Sequence, residues 1–464
     1  MVFSSMTFLF IFLPAALLCH TLLPGVRAKN CALCLFSLVF YAWGEPVYVL
    51  LMVASILLNW LIGLGMERYP RRKKLFLLLA LAFNLGAIGY FKYAGFFLES
   101  LNAVFPLNIP VLRIALPIGI SFYTFQILSY VIDVYHGRTE VQKSLLSLAT
   151  YITMFPQLVA GPIVRYENIR NELSRRQVSL NDFTEGLSRF FFGLGKKVII
   201  ANQMALAADT IFDASGISSA AVMWIGALCY TMQIYYDFSG YSDMAIGMGR
   251  MFGFRFMENF DYPYTADSVT DFWRRWHISL SVWFREYVYI PLGGNRCSVL
   301  RHILNMLVVW LLTGLWHGAA WNFVLWGLYY GVLLILEKYA FRHFLDRIPR
   351  TVRQIMTFLL ALIGWIIFRT ENLAALGQYL SVFFSFRFSG TGAFFMSNAD
   401  ALSPLYLLPL AILGCFPWKQ RIRKRFRNSD LVTGLGFACA LLIWIVSVAL
   451  LLGDSYNPFI YFRF

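Results

Sequence analysis

The sequence predicts an all-α, polytopic membrane protein, and three observations predict it. Of its 464 residues, 59% are hydrophobic and only 14% are charged. Mean hydropathy is +0.64. Apolar runs of about 20 residues, the length that crosses a bilayer as a helix, recur along the whole chain. A soluble protein carries roughly 45–50% apolar and about 25% charged residues, so too little polar surface remains here to cover a water-soluble fold. Secreted disulfide scaffolds, disordered chains and collagen-like chains are excluded on the same grounds.

In chain order the candidate spans fall at about 3–24, 31–44, 47–66, 75–98, 111–132, 145–163, 187–206, 220–240, 300–317, 319–340, 354–369, 403–417 and 431–452. About 11 of them are expected to cross. The first has no Lys or Arg before Arg27 and reads as a span rather than a cleaved leader. Val26-Arg27-Ala28 resembles a small-residue cleavage site, but the apolar stretch before it is long for a signal peptide. The runs at 31–44 and 145–163 are short or interrupted by Pro156, Gly161 and Pro162. Irregular backbone at membrane depth survives only inside protein or beside a cavity, so one or two re-entrant segments are expected.

The formal net charge of +15 comes from 39 Lys plus Arg against 24 Asp plus Glu. The excess sits in runs such as Arg71 to Lys74 and Lys419 to Arg427, which suit cytoplasmic loops beside anionic lipid and not nucleic-acid binding. Placing these loops inside, with Arg27/Lys29 and Arg342 to Arg353, puts the N-terminus and the Glu45-Pro46 turn outside. Of the seven Cys, Cys31 and Cys34 form a CxxC in an apolar span, with no second CxxC to complete a zinc site. No internal repeat is visible, which argues against an inverted-repeat transporter. The chain is expected to form one domain over 1–464, with its catalytic region at about 237–330, where the sequence is least apolar between 237 and 302.

Two features carry possible chemistry. Asp271 to Tyr287 reads as an amphipathic helix. At about 100° per residue it places Arg274, His277, Ser281 and Arg285 on one stripe, with Trp276, Leu280, Trp283, Phe284 and Tyr287 opposite. The same periodicity suits an interfacial helix whose Trp residues anchor at headgroups and whose Arg residues meet phosphates. The second feature is Thr313-Gly314-Leu315-Trp316-His317-Gly318-Ala319-Ala320-Trp321-Asn322-Phe323. An ionisable group at membrane depth is costly and marks a functional site, and the small residues around His317 allow close approach of a substrate or a helix. A packing histidine bonded to a neighbouring helix is the other reading. His20, His136, His302 and His343 fall at span ends or loops and are expected to be solvated or interfacial. No third ligand accompanies His277 and His317, so no metal is expected. No GxSxG elbow, Walker loop or GxGxxG is present, which leaves histidine-centred chemistry.

Asp271 to Arg296, ending Tyr289-Ile290-Pro291-Leu292-Gly293-Gly294-Asn295-Arg296, together with Trp316-His317-Gly318, resembles the membrane-bound O-acyltransferase family. The likeness is to its bacterial branch that O-acetylates polysaccharides such as alginate. Further matches are Met1-Val2-Phe3-Ser4-Ser5, Tyr41-Ala42-Trp43, Pro156-Gln157-Leu158-Val159-Ala160-Gly161-Pro162-Ile163, Tyr236-Asp237-Phe238-Ser239-Gly240-Tyr241-Ser242-Asp243 and Asn457-Pro458-Phe459-Ile460-Tyr461-Phe462. The resemblance implies a helical bundle with re-entrant and amphipathic helices around a central tunnel where acyl donor and acceptor meet. It maps the family's near-universal histidine to His317 and its second, more variable polar position to His277. Enzymes that attach D-alanine to teichoic acid also resemble Phe272 to Arg285, but 291–296 looks like the acetylating branch.

From this follows an expected mechanism. Acetyl-CoA is the expected donor in the cytosol, with no tightly bound cofactor, and His317 acts as general base on the accepting hydroxyl. His277 orients or stabilises the reacting groups, and Arg274, Arg275 or Arg285 holds phosphate or developing negative charge. Ser281, Asp237 and Asn322 complete the candidate substrate contacts, with buried pairing of Asp237 and Asp243 to Arg250 or Arg255 an equal alternative. The resemblance implies a cytoplasmic (inner) membrane location and an extracytoplasmic or periplasmic partner that receives the acetyl group and decorates the polysaccharide, since no soluble Ser-His-Asp domain is visible. A cell-wall polymer acyltransferase, a lipid or protein acyltransferase of the same family, a transporter or flippase, and a purely structural subunit are the rival readings.

Overall fold

Every regular element among the described residues is a helix. The structure, a computed structural model, describes residues 1–464 except 106, 112–113, 160, 215, 427–428, 454–455 and 459–464. Ala160, Arg427 and the 459–462 part of the closing motif therefore lie outside the described residues. Among the described residues five helices are long and apolar enough to cross a membrane: Tyr48–Arg68, Pro70–Val104, Val299–His317, Arg350–Arg369 and Leu431–Gly453. Shorter apolar helices occupy Phe8–Leu22, Leu373–Phe383 and Ala399–Gly414. The chain divides into two units, Met1–Phe190 with Ser242–Met257, and Phe191–Tyr241 with Glu258–Phe464.

In the first unit, helix Tyr48–Arg68 is joined to the next span by buried amides rather than by packing alone. Asn59 and Asn84 donate to each other's side-chain oxygens at 3.3 and 2.9 Å, the kind of polar link that supplies attraction between helices where lipid removes the hydrophobic drive. The run expected at 111–132 becomes helical only from Ile120, because Gly119 takes a left-handed conformation at φ 78° and Glu45 accepts from the Ile118 N–H at 3.2 Å. The run at 145–163 is broken as its proline predicts: Leu145–Thr153 ends at Met154, and Phe155–Leu158 follows as one turn with Pro156 in its first turn. Gly186 and Gly247 allow two helices to touch, each carbonyl oxygen lying 2.6 Å from the position a Cβ on the other would take. Arg189 donates to Asp243 at 2.8 Å across the same contact.

Two histidines of this unit and the next depart from expectation. His20 and His302 are buried, whereas His136 and His343 are exposed as expected. Arg176 lies 3.2 Å from His20 Nε2 and Phe252 meets the ring edge-on. His302 is held between the hydroxyls of Tyr289 and Tyr339 at 2.7 and 2.6 Å. Position near a span end says nothing about neighbours distant in sequence, and those neighbours supply the hydrogen bonds that make burial tolerable.

In the second unit, Val299–His317 and Trp321–Tyr339 form a helical hairpin joined by three residues. Gly314 and Gly327 let the two backbones meet, since a Cβ on Gly314 would lie 2.2 Å from Phe323 O and one on Gly327 would lie 2.4 Å from Trp310 O. Arg350–Arg369 packs over the hairpin, and Asn322 donates to Phe368 O at 2.9 Å. Around these helices lies an aromatic core of Trp326, Trp365, Tyr330, Phe272 and Trp276. The final helix, Asp430–Gly453, leaves most of its apolar surface exposed, including Leu435, Leu442 and Leu452, as a lipid-facing span requires.

Candidate active site

The segment expected to be one amphipathic helix is two short helices, Val269–Arg275 and Ile278–Phe284, followed by a wider π-helical turn at Arg285–Tyr289. The break falls at His277, whose backbone is left-handed at φ 45° and ψ 53°. For a residue with a Cβ this conformation costs about 1–2 kcal/mol, so the surroundings must hold it. They do so through a loop 18 residues earlier. The Ile278 N–H donates to Asn259 O at 3.0 Å, and the Asp261 N–H donates to Arg275 O at 2.9 Å. Asn259 Oδ1 lies 3.2 Å from His277 Nδ1, and it accepts from the Ser279 N–H at 3.2 Å and the Ser279 hydroxyl at 2.8 Å. The single stripe of Arg274, His277, Ser281 and Arg285 is therefore lost: His277 turns inward, while Arg274 and Arg285 are exposed.

His277 and His317 come together. Their ring centroids are 6.5 Å apart, and they are 1% and 7% exposed. Phe238 meets His277 edge-on at 4.6 Å, and Trp316, Trp326 and Phe368 surround the His317 ring at 5.0–5.2 Å. Such an enclosure excludes water and strengthens every electrostatic interaction inside it. His317 is the last residue of its 19-residue helix. Burial, and after it the neighbouring His317, push the His277 imidazole well below the ordinary histidine value, so it is neutral at physiological pH. His277 lies outside the five spans.

The other candidates separate into those that face away and those that brace the site. Arg274 is exposed. Arg275 is tied to Asp271 at 3.0 Å and Thr265 at 3.3 Å, and Arg285 pairs with the adjacent Glu286 at 2.9 Å. Ser281 donates to Trp273 O at 3.3 Å, which bridges the two short helices. Asn322 fastens the hairpin to Phe368, as above. Asp237 is buried and paired, with Lys197 at 2.7 Å rather than with Arg250 or Arg255. Those two arginines face Glu185 and Asp182, and Asp243 takes Arg189. Among the described residues no three His, Cys, Asp or Glu side chains gather as a metal site.

Sequence reasoning missed Asn259, Ser279, Lys197 and Glu337. Glu337 accepts from the Val269 and Thr270 N–H groups at 2.6 and 3.1 Å, satisfying donors that a helix start leaves open. None of the four shares a helical register with the residue it serves, so periodicity carries no signal for them.

The membrane-bound O-acyltransferase family model matches residues 138–376, which takes in both histidines and their helices. The chain belongs to the membrane-bound O-acyltransferase family. Its relatives include a probable alginate O-acetylase, AlgI, of Pseudomonas putida, 41% identical with 100% of both chains covered. A peptidoglycan O-acetyltransferase of Helicobacter pylori is 36% identical over 80% of this chain and 78% of its own. A teichoic acid D-alanyltransferase of Bacillus subtilis is 30% identical over 47% of this chain and 58% of its own. The protein is thus a multi-pass membrane O-acyltransferase.

Proposed function

We propose that this membrane-bound O-acyltransferase carries acetyl groups across the cytoplasmic membrane for O-acetylation of an extracytoplasmic polysaccharide, of alginate type. The single observation that carries the chemistry is the enclosed pair His277 and His317, with rings 6.5 Å apart in an aromatic shell. The full-length likeness to a probable alginate O-acetylase supports acetyl as the group and an alginate-type acceptor.

The proposed donor is a cytosolic thioester, acetyl-CoA. Basic loops draw in its phosphates, and the exposed Arg274 is placed better for such a contact than Arg275 or Arg285, which hold carboxylates. The acceptor hydroxyl oxygen attacks the thioester carbonyl carbon while its proton passes to His317. Collapse of the tetrahedral intermediate breaks the C–S bond, and the thiolate leaves. Removing that proton in the transition state contributes about 10²–10⁴-fold. His277 orients the reacting groups. In this reading the accepting hydroxyl belongs to a partner protein outside the membrane; a hydroxyl of the polymer then attacks the ester carbonyl formed there, and the partner's hydroxyl leaves as the free alcohol.

The test compares ester-linked acetate on exopolysaccharide and on peptidoglycan between wild type and His317→Ala at equal membrane level. Loss of acetate from exopolysaccharide alone supports this reading. Loss from peptidoglycan alone transfers it to a cell-wall acceptor, the reading that the Helicobacter pylori relative favours. Unchanged acetate on both polymers refutes it.

A further inference from the structure

We infer that Asn259 is a positioning residue: it fixes His277 as the Nδ1–H tautomer and thereby makes Nε2 the ring's only hydrogen-bond acceptor. The argument is one of donors and acceptors. Asn259 Oδ1 lies 3.2 Å from the Ser279 backbone N–H. A backbone N–H has one role, donation, and an amide NH₂ cannot receive it, so the atom at this position is the carbonyl oxygen. The Ser279 hydroxyl, 2.8 Å away, points to the same oxygen. An amide oxygen has no hydrogen to give, so its 3.2 Å contact with His277 Nδ1 is a bond in which Nδ1–H donates. A neutral imidazole carries a single N–H, and the bond made by one nitrogen decides the state of the other. Nε2 therefore bears the lone pair. It is buried and has no hydrogen-bond partner among the described residues.

The backbone is built around the same contact. His277 is held left-handed at φ 45°, and the Ile278 N–H bonds to the backbone oxygen of Asn259 at 3.0 Å. The asparagine thus fixes both the ring's path and its tautomer. Strain held at a buried polar residue is a mark of function.

Within the proposed transfer, on which this consequence rests, a lone-pair Nε2 receives a hydrogen bond from a donor on the acceptor molecule. It takes no part in stabilising the oxyanion, which needs a donor. The two histidines are not interchangeable.

The tautomer is read directly, without any activity, from the ring ¹⁵N chemical shifts of histidine-labelled protein in lipid nanodiscs. His277 is identified by the signal lost in His277→Gln. The expected result is a protonated Nδ1 and a bare Nε2 in the wild type and in Asn259→Asp, which keeps an acceptor oxygen, and a mixture of tautomers in Asn259→Leu. A wild-type Nε2–H overturns the inference whether or not any variant folds. So does an unchanged tautomer in Asn259→Leu. Initial acetyl-transfer rates, at equal folded protein, are expected to fall by up to about 100-fold in Asn259→Leu, the cost of misplacing a group at the reacting centre, and to recover most of that loss in Asn259→Asp. Tautomers scrambled with transfer unchanged would refute the positioning role. If the chain transfers no acetyl group at all, the tautomer measurement still stands or falls by itself, so the two readings fail separately.

Discussion

Gly314→Ala probes how closely the chemistry depends on one helix crossing. A Cβ built on Gly314 meets Phe323 O at 2.2 Å, Phe323 C at 3.1 Å and Gly327 Cα at 3.3 Å. All three atoms are backbone, so no side chain can swing aside. Ordinary contact begins at 3.4 Å, and the Trp321–Tyr339 helix must therefore retreat by about 1 Å, an overpacking that costs about 1–3 kcal/mol. His317 follows Gly314 by one turn on the same helix, and Trp326 and Phe368 close on its ring from the far side. A misplacement of about 1 Å costs on the order of 100-fold in rate. Acetyl ester per unit of folded membrane protein is expected to fall by about that factor, with a lowered thermal midpoint. Gly436→Ala, on the lipid-facing final helix with nothing within 4 Å of its new methyl group, is the control and is expected to behave as wild type. If Gly314→Ala keeps both full acetylation and the wild-type midpoint, the close crossing does not position His317.

Two further expectations follow from buried charge and buried imidazole. Lys197→Met removes the cation 2.7 Å from the buried Asp237 and is expected to destabilise by about 3–5 kcal/mol; adding Asp237→Asn should recover more than half of the loss, and equal melting of the single and double variants would show that the pair does not hold these helices. His277 refuses, when folded, a proton that the unfolded chain accepts below about pH 6.5. Its stabilising contribution is therefore complete above that pH and declines as pH falls, by up to about 1.4 kcal/mol per unit. In His277→Gln the thermal midpoint should fall less than in wild type between about pH 7.5 and about pH 5.5, and parallel curves refute this account.

The sequence by itself determined that the chain is an all-helical membrane protein, and it singled out the two histidines that the fold brings together. It did not determine how many helices cross, since five among the described residues are long and apolar enough where about 11 were expected. In hydrocarbon every backbone group must bond within its own helix and the side chains must be apolar, so spans such as 300–317 and 431–452 are written in local composition. They match Val299–His317 and Asp430–Gly453 closely. A break just before Pro156 was equally legible, because proline is accepted in the first turn of a helix and not in its interior. His317 stood out because an ionisable residue in an apolar run is rare, and His277 because its neighbours resemble a known family. Tertiary structure alone decided the rest. The helix break that turns His277 inward depends on Asn259, 18 residues away; the burial of Asp237 depends on Lys197, 40 residues before it; and the shell around His317 is completed by Phe368. In each case the deciding energy is a hydrogen bond, an ion pair or a ring contact between groups distant along the chain. Such terms leave no period in the sequence, and they appear only when the helices have packed.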